Sequence, residues 1–133
     1  MVRGWLQRRR YRVMKSTYQM ATKYFKAEEG KETLDGKYQG SDALETRSFT
    51  YKTGAQYEGS WRGGLRHGYG TMIWLDGARY EGEWEYNQAA GNGKFFHVDG
   101  DIYEGRWLNN KANGQGVYTN VKGARYQGDW KED

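Results

Sequence analysis

The chain has 133 residues, a length typical of one domain, and contains 20 Gly, 12 Tyr and 6 Trp but no Pro or Cys. This composition favours aromatic rings packed against glycines over a core of Leu, Ile and Val, and it excludes disulfides and thiolate metal sites. No stretch approaches the ~20 apolar residues of a membrane span, and no apolar signal segment follows the basic start. We therefore expect a soluble, non-secreted protein, with the cytosol as the default compartment.

The formal net charge of +4 conceals a strong asymmetry along the chain. Residues 1–26 hold eight Lys and Arg and no acidic residue, whereas residues 27–133 hold thirteen basic and seventeen acidic residues. The charges are thus 8 − 0 = +8 for the first segment and 13 − 17 = −4 for the second. Such a division indicates two segments with different partners.

A basic amphipathic helix is predicted within residues 1–30, because Trp5 to Glu29 contains neither Gly nor Pro. Apolar residues recur there at the 3-4-3-4 spacing of one helix face. These residues are Tyr11, Met14, Tyr18, Ala21 and Phe25. Basic residues occupy much of the remaining circumference.

Near the start of this helix, Arg3-Gly4 followed by Arg8 and Tyr11 resembles the second half of an IQ motif. The resemblance implies a calmodulin or EF-hand light chain as a partner, since acidic EF-hand lobes bind basic amphipathic helices. The residues assigned to this contact are Arg3, Gly4, Leu6, Arg8, Tyr11 and Met14. A second interpretation is that the apolar face packs on the end of a repeat sheet and caps it, and different turns of one helix could do each.

A Tyr-x-Gly-x-Trp pattern recurs at a constant spacing in the second segment. The four copies are Tyr57-Glu58-Gly59-Ser60-Trp61, Tyr80-Glu81-Gly82-Glu83-Trp84, Tyr103-Glu104-Gly105-Arg106-Trp107 and Tyr126-Gln127-Gly128-Asp129-Trp130. Each of the first three copies is followed by a Gly-x-Gly pair, at 68 and 70, 91 and 93, and 114 and 116, and then by a turn glycine at 77, 100 or 123.

This pattern resembles the MORN repeat family. Full repeats are assigned to 57–79, 80–102 and 103–125, with a partial repeat at 126–133, and residues 31–56 are assigned to a connector and a degenerate first repeat beginning at Tyr38. The resemblance implies a role in cytoskeletal assemblies such as ciliary axonemes, with grooves that accept extended or helical peptides. Some relatives join such repeats to a phosphoinositide kinase or methyltransferase domain.

The residues themselves predict a β-hairpin in every repeat. In a strand, Tyr57, Gly59 and Trp61 lie on one face and Glu58 on the other. The second strand is expected at 68–74, after a polar loop at 62–67, and the Asp-Gly pairs at 76–77 and 99–100 predict tight turns. The predicted fold is mainly β: an elongated, twisted antiparallel sheet of tandem hairpins behind one helix, without a compact pocket.

The last strand, Tyr126 to Trp130, is predicted to form an edge. An unpaired edge strand invites pairing with another strand. We therefore expect either a continuation of the natural protein past Asp133 or a partner that covers this edge.

Catalysis is disfavoured by the residue inventory. Of the two histidines, His67 is predicted to be structural and His97 to pack or to face solvent. Glu58, Glu81 and Glu104 recur at one repeat position, where cross-strand charge pairing explains them. We therefore predict no catalytic residues, no metal and no cofactor.

Lipid and nucleic-acid binding by the repeats are also disfavoured, because the repeat segment is net negative. Membrane contact is expected only through the basic helix.

Protein binding is the remaining class, and it is assigned to an aromatic row with partly exposed ring edges. The row comprises Tyr57, Trp61, Tyr80, Trp84, Tyr103, Trp107, Tyr126 and Trp130. The same rings are also expected to stack over glycines within the sheet. The sequence thus favours a non-catalytic scaffold that binds proteins of a larger cytoplasmic, cytoskeletal or ciliary assembly. The alternative is a regulatory or membrane-targeting module of a longer enzyme such as a phosphoinositide kinase.

Overall fold

The computed structural model describes residues 24–25 and 43–130, except for the side chain of Trp130. Residues 43–130 form one antiparallel sheet in which every strand pairs with its neighbours in sequence. The strands are β1 (Glu45–Thr50), β2 (Gln56–Arg62), β3 (Leu65–Ile73), β4 (Arg79–Glu85), β5 (Gln88–Phe96), β6 (Ile102–Leu108), β7 (Lys111–Thr119) and β8 (Arg125–Trp130). The predicted mainly β fold of tandem hairpins is confirmed. Within the described residues, no helix has the length and apolar character needed to cross a bilayer.

The turns at one edge of the sheet follow the Asp-Gly prediction. In the turn between β3 and β4, Gly77 has a φ of 98° and its N–H donates to the carbonyl of Trp74 at 2.9 Å. The N–H of Trp74 in turn donates to the carbonyl of Ala78 at 2.9 Å, and Asp76 Oδ1 accepts from the N–H of Ala78. A positive φ suits glycine, so this three-residue turn needs Gly77 at that position.

The polar loop predicted at 62–67 is wrong. Only Gly63 and Gly64 separate β2 from β3, with φ angles of 57° and 80°, as in a two-residue type I′ turn. Residues 65–67 therefore extend the second strand, which begins before the expected residue 68. The Gly-Gly pair was the informative signal, and the polar composition around it was misleading.

β1 belongs to the repeat pattern, although its sequence is degenerate. It lies one repeat period, the spacing from Tyr57 to Tyr80, before residues 68–73 of β3. Gly54, with a φ of 92°, likewise lies one period before Gly77. Counting back by the same period aligns the sequence Leu-Asp-Gly-Lys-Tyr at 34–38 with the Tyr-x-Gly-x-Trp anchor, in place of the predicted start at Tyr38. Residues 34–38 themselves lie outside the described part.

Most of the predicted N-terminal helix also lies outside the described residues, including the six residues assigned to a calmodulin-like partner. Tyr24 and Phe25 are described, with helical backbone, and they lie against rings of β3 to β6. Phe25 thus contacts the middle of the sheet. The second interpretation had expected the apolar face of the helix to pack on the end of the sheet.

A row of glycines runs across the sheet in register from β2 to β8. The row is Gly59, Gly70, Gly82, Gly93, Gly105, Gly116 and Gly128. Every second member lies under a tyrosine: a Cβ built on Gly93 would be 2.3 Å from Tyr80 Oη, and one on Gly116 would be 2.3 Å from Tyr103 Oη. The absent side chain is therefore the space that the ring occupies.

Replacing Gly93 by Ala is expected to lower the free energy of unfolding by about 3 kcal/mol, because the buried Tyr80 ring has no room to move aside. The matched control is Gly63→Ala, whose Cβ would meet nothing within 4 Å and whose cost is the positive φ alone, about 1 kcal/mol. Urea denaturation measures both. Equal losses in the two variants would contradict the packing role of the glycine row.

Candidate protein-binding face

One side of the sheet, called here the aromatic face, holds nearly all of the buried apolar side chains. Its residues from β2 to β6 include Tyr57, Trp61, Met72, Trp74, Tyr80, Trp84, Phe95, Tyr103 and Trp107. The six Tyr and Trp anchors of the three full repeats are between 0% and 3% exposed, so the expectation of exposed ring edges is not met for them. Tyr126 is half-buried. A role of these residues in protein binding stays a prediction.

The anchors lock successive repeats together through both their rings and their polar tips. The ring of Tyr80 lies edge-to-face between Trp84 at 5.1 Å and Trp107 of the next repeat at 5.2 Å, measured between centroids. Its hydroxyl donates to the carbonyl of Glu83 at 2.8 Å, and burial raises its pKa. The indole of Trp107 donates to the carbonyl of Gly93 at 3.1 Å. The buried polar groups of these aromatic residues are thereby paired.

Phe25 is the centre of an aromatic cage on this face, although it comes from outside the sheet. Five rings surround it, with centroid distances between 5.3 and 6.2 Å, and the side chain is 2% exposed. The cage rings are Trp74, Tyr80, Trp84, Phe95 and Trp107. Burial of a phenylalanine contributes about 1.5–3 kcal/mol, and favourable ring pairs add to it.

Tyr24 packs beside Phe25 at the rim of the cage. Its ring centroid lies 5.1 Å from that of Trp74 and 5.7 Å from that of Phe95, and its hydroxyl donates to Asp76 Oδ2 in the β3–β4 turn. Burial and the neighbouring Asp76 carboxylate raise the pKa of Tyr24 to about 12. The site therefore combines an apolar cage with a carboxylate acceptor at its edge.

A buried arginine stands at one side of the aromatic face. Arg66 is 2% exposed and lies at the position where the next two repeats have alanine opposite the tryptophan. Its guanidinium lies 4.5 Å from the centroid of the Trp84 ring and donates from Nε to Asn87 Oδ1 at 2.6 Å. It donates also to the carbonyl of Asn87, which fixes the β4–β5 turn onto the preceding repeat. Sequence reasoning missed this residue, because a buried arginine has no periodic signal.

His97 also packs on the aromatic face, so of the two predicted placements, packed or facing solvent, the packed one is observed. It is 5% exposed, its ring centroid lies 4.7 Å from that of Phe95, and neither ring nitrogen has a hydrogen-bond partner among the described residues. Burial lowers the pKa of His97, against the opposing charges of Asp99 and Asp101. The equivalent position one repeat earlier is Trp74.

The opposite side of the sheet, called the polar face, carries the recurring glutamates. In cross-strand register Glu81 and Glu104 flank Lys94, whose Nζ lies 4.0 Å from Glu104 Oε2. Glu81 also lies 3.2 Å from Nε of Arg79 on its own strand. The predicted cross-strand charge pairing is therefore confirmed for Glu104, whereas the ion pair of Glu81 lies within its own strand.

Within 24–25 and 43–130, no group of three His, Cys, Asp or Glu could hold a metal ion. His67 Nδ1 accepts a hydrogen bond from the N–H of Tyr86 at 3.1 Å, and Tyr86 is a turn residue with a φ of 44°. This contact agrees with the predicted structural role of His67.

The MORN repeat family model matches residues 57–79, 80–102 and 103–125, with the boundaries predicted from the sequence. The chain belongs to the MORN repeat proteins. MORN repeats are generally non-catalytic modules and commonly serve in protein interaction or membrane binding. Among curated proteins, no sequence matches the chain.

His97 makes stability depend on pH. The unfolded chain binds a proton at His97 near pH 6.5, whereas the folded chain binds it only at a lower pH, so stability falls as the pH drops through this window. His97→Phe is expected to remove this part of the acid sensitivity, and the control His67→Gln to retain it. Thermal unfolding at pH 7.5 and pH 5 measures the difference. A His97→Phe chain as acid-sensitive as the wild type would contradict the assignment.

Proposed function

We propose that this chain is a non-catalytic scaffold that binds other proteins through its aromatic face. One observation carries the proposal: the cage already holds an aromatic side chain, Phe25, that has helical backbone and comes from outside the repeats. A helix of a partner that presents a phenylalanine would make the same contacts. This is the helix-in-groove mode of recognition, in which a few apolar anchors supply most of the binding energy.

The proposed setting is a cytoplasmic assembly of the cytoskeleton, such as a ciliary axoneme. The family resemblance supports this setting. The negative charge of residues 27–133 supports protein partners over anionic membranes and nucleic acid.

Calmodulin or a related EF-hand light chain is the proposed partner of residues 3–14. The basic character of this segment and its likeness to the second half of an IQ motif support the assignment.

The alternative function is a regulatory or membrane-targeting module of a longer enzyme such as a phosphoinositide kinase. The +8 charge of residues 1–26 favours it, because clustered Lys and Arg bind anionic headgroups.

Capture of proteins from an extract of ciliated cells tests the scaffold function. The immobilised chain is expected to retain cytoskeletal or axonemal proteins, identified by mass spectrometry. Trp107→Leu, which removes one cage ring, is expected to lose them. Tyr69→Ala, at a 62% exposed position of the polar face, is the matched control and should retain them. Equal capture by both variants would exclude the aromatic face, and binding to anionic vesicles without protein capture would favour the membrane alternative.

Replacing Arg3 and Arg8 together by Glu is expected to weaken calmodulin binding at least tenfold, since both cations would face an acidic lobe. Calorimetric titration of calmodulin into the chain, with and without calcium, measures the change. Arg47→Glu on β1, outside the proposed helix, is the control. Unchanged affinity in the double variant would remove calmodulin from the proposal.

A further inference from the structure

The repeats alone supply all five rings of the cage that surrounds Phe25. Tyr80, Trp84 and Trp107 are anchors of the Tyr-x-Gly-x-Trp pattern. Trp74 directly follows β3, and Phe95 lies near the end of β5. Phe25 has no place in the repeat pattern. The cage is thus a property of the sheet, and Phe25 is an occupant of it.

Side-chain contacts hold this occupant in place. In the described part of the chain, the contacts of Tyr24 and Phe25 with the sheet are ring packing and the hydrogen bond from Tyr24 to Asp76. No described backbone hydrogen bond joins either residue to a strand. Docking without strand pairing leaves the sheet hydrogen bonds intact when the segment departs, so another helix could replace it.

We propose that Phe25 is an intrasteric ligand of the aromatic cage, and that a partner binds by displacing it with an aromatic side chain on a basic helix. This inference rests on the proposed function and adds regulation to it. Residues 26–44 connect Phe25 to β1, so the occupant is tethered and competes at a high effective concentration. A partner must therefore bind the free cage more tightly than its measured affinity for the whole chain indicates.

The charges at the rim define the chemistry of the partner. Asp76 accepts a hydrogen bond from Tyr24, and the negative charge of Asp99 also contributes to the raised pKa of that hydroxyl. A partner helix that carries Tyr, Lys or Arg next to its phenylalanine would satisfy Asp76. The segment around Phe25 has this character, with Lys23 and Lys26 on either side.

The test uses the full-length chain and a fluorescently labelled peptide of residues 14–30 as the probe. Fluorescence anisotropy should show that the Phe25→Ala chain binds the probe at least tenfold more tightly than the wild type, because its own occupant is lost. A probe with Phe25 replaced by Ala should bind neither chain. Tyr69→Ala, on the polar face, should behave as the wild type. Circular dichroism confirms that each variant keeps its strands.

A second variant leaves every packing residue in place. About 40 Gly and Ser residues inserted after Gly30 lengthen the connection to β1 and lower the effective concentration of the occupant. Probe binding should tighten several-fold relative to the wild type. This variant decides the question if Phe25→Ala fails to fold: unchanged binding would overturn the proposal.

The outcomes separate this inference from the proposed function. Equally tight probe binding by the wild type and Phe25→Ala would overturn the intrasteric role, while leaving the aromatic face as a binding site. If neither chain binds the probe, the inference is overturned, because the cage then does not bind a helix even when Phe25 is removed. Whether the chain is a scaffold at all is decided independently by the capture of proteins from extract.

Discussion

The contact on which the rest of the structure depends is that of a tyrosine ring with a glycine of the following strand. Tyr80 lies over Gly93, and the carbonyl of the same glycine accepts the indole N–H of Trp107 from the next repeat. One residue without a side chain thus serves as a floor for one ring and an acceptor for another. The ring–glycine contact recurs in every full repeat, and the indole of Trp84 likewise donates to the carbonyl of Gly70. The three full repeats are thus joined by the same geometry, and the sheet needs little aliphatic core.

This geometry creates an apolar face that has to be covered. A row of edge-to-face rings stabilises the sheet from within, yet it leaves one side of each ring layer directed away from the strands. Phe25 covers the centre of that layer and is itself buried by five rings. The same physical need explains both interpretations of the aromatic face. It can be a core that the chain's own Phe25 closes, and it can be a docking site for a helix of a partner. The proposed competition between them follows from the two occupants having the same chemistry.

The sequence predicted the repeat boundaries and the side of the sheet on which the rings lie. Both follow from properties of the sequence itself, a fixed repeat period and the alternation of side chains along a strand. Turn geometry was predictable at the Asp-Gly pairs, but it was not predictable at 62–67. The polar residues on either side of Gly63-Gly64 have a composition typical of a loop, yet they belong to strands. The burial of Arg66 and His97 was not predictable in the same way. Each replaces the residue that the neighbouring repeat has at that position, and its environment is set by side chains of the following repeat, such as Asn87 for Arg66 and Tyr118 for His97.

Occupation of the aromatic cage by the chain's own Phe25 underlies both the proposed binding site and its regulation. The most direct measurement is NMR of the full-length chain with isotope-labelled phenylalanine and tryptophan. We expect strongly shielded ring protons for Phe25 and nuclear Overhauser contacts from them to the indoles of Trp84 and Trp107. Phe25 signals at the shifts of an unfolded peptide, with no contact to either indole, would contradict this occupation.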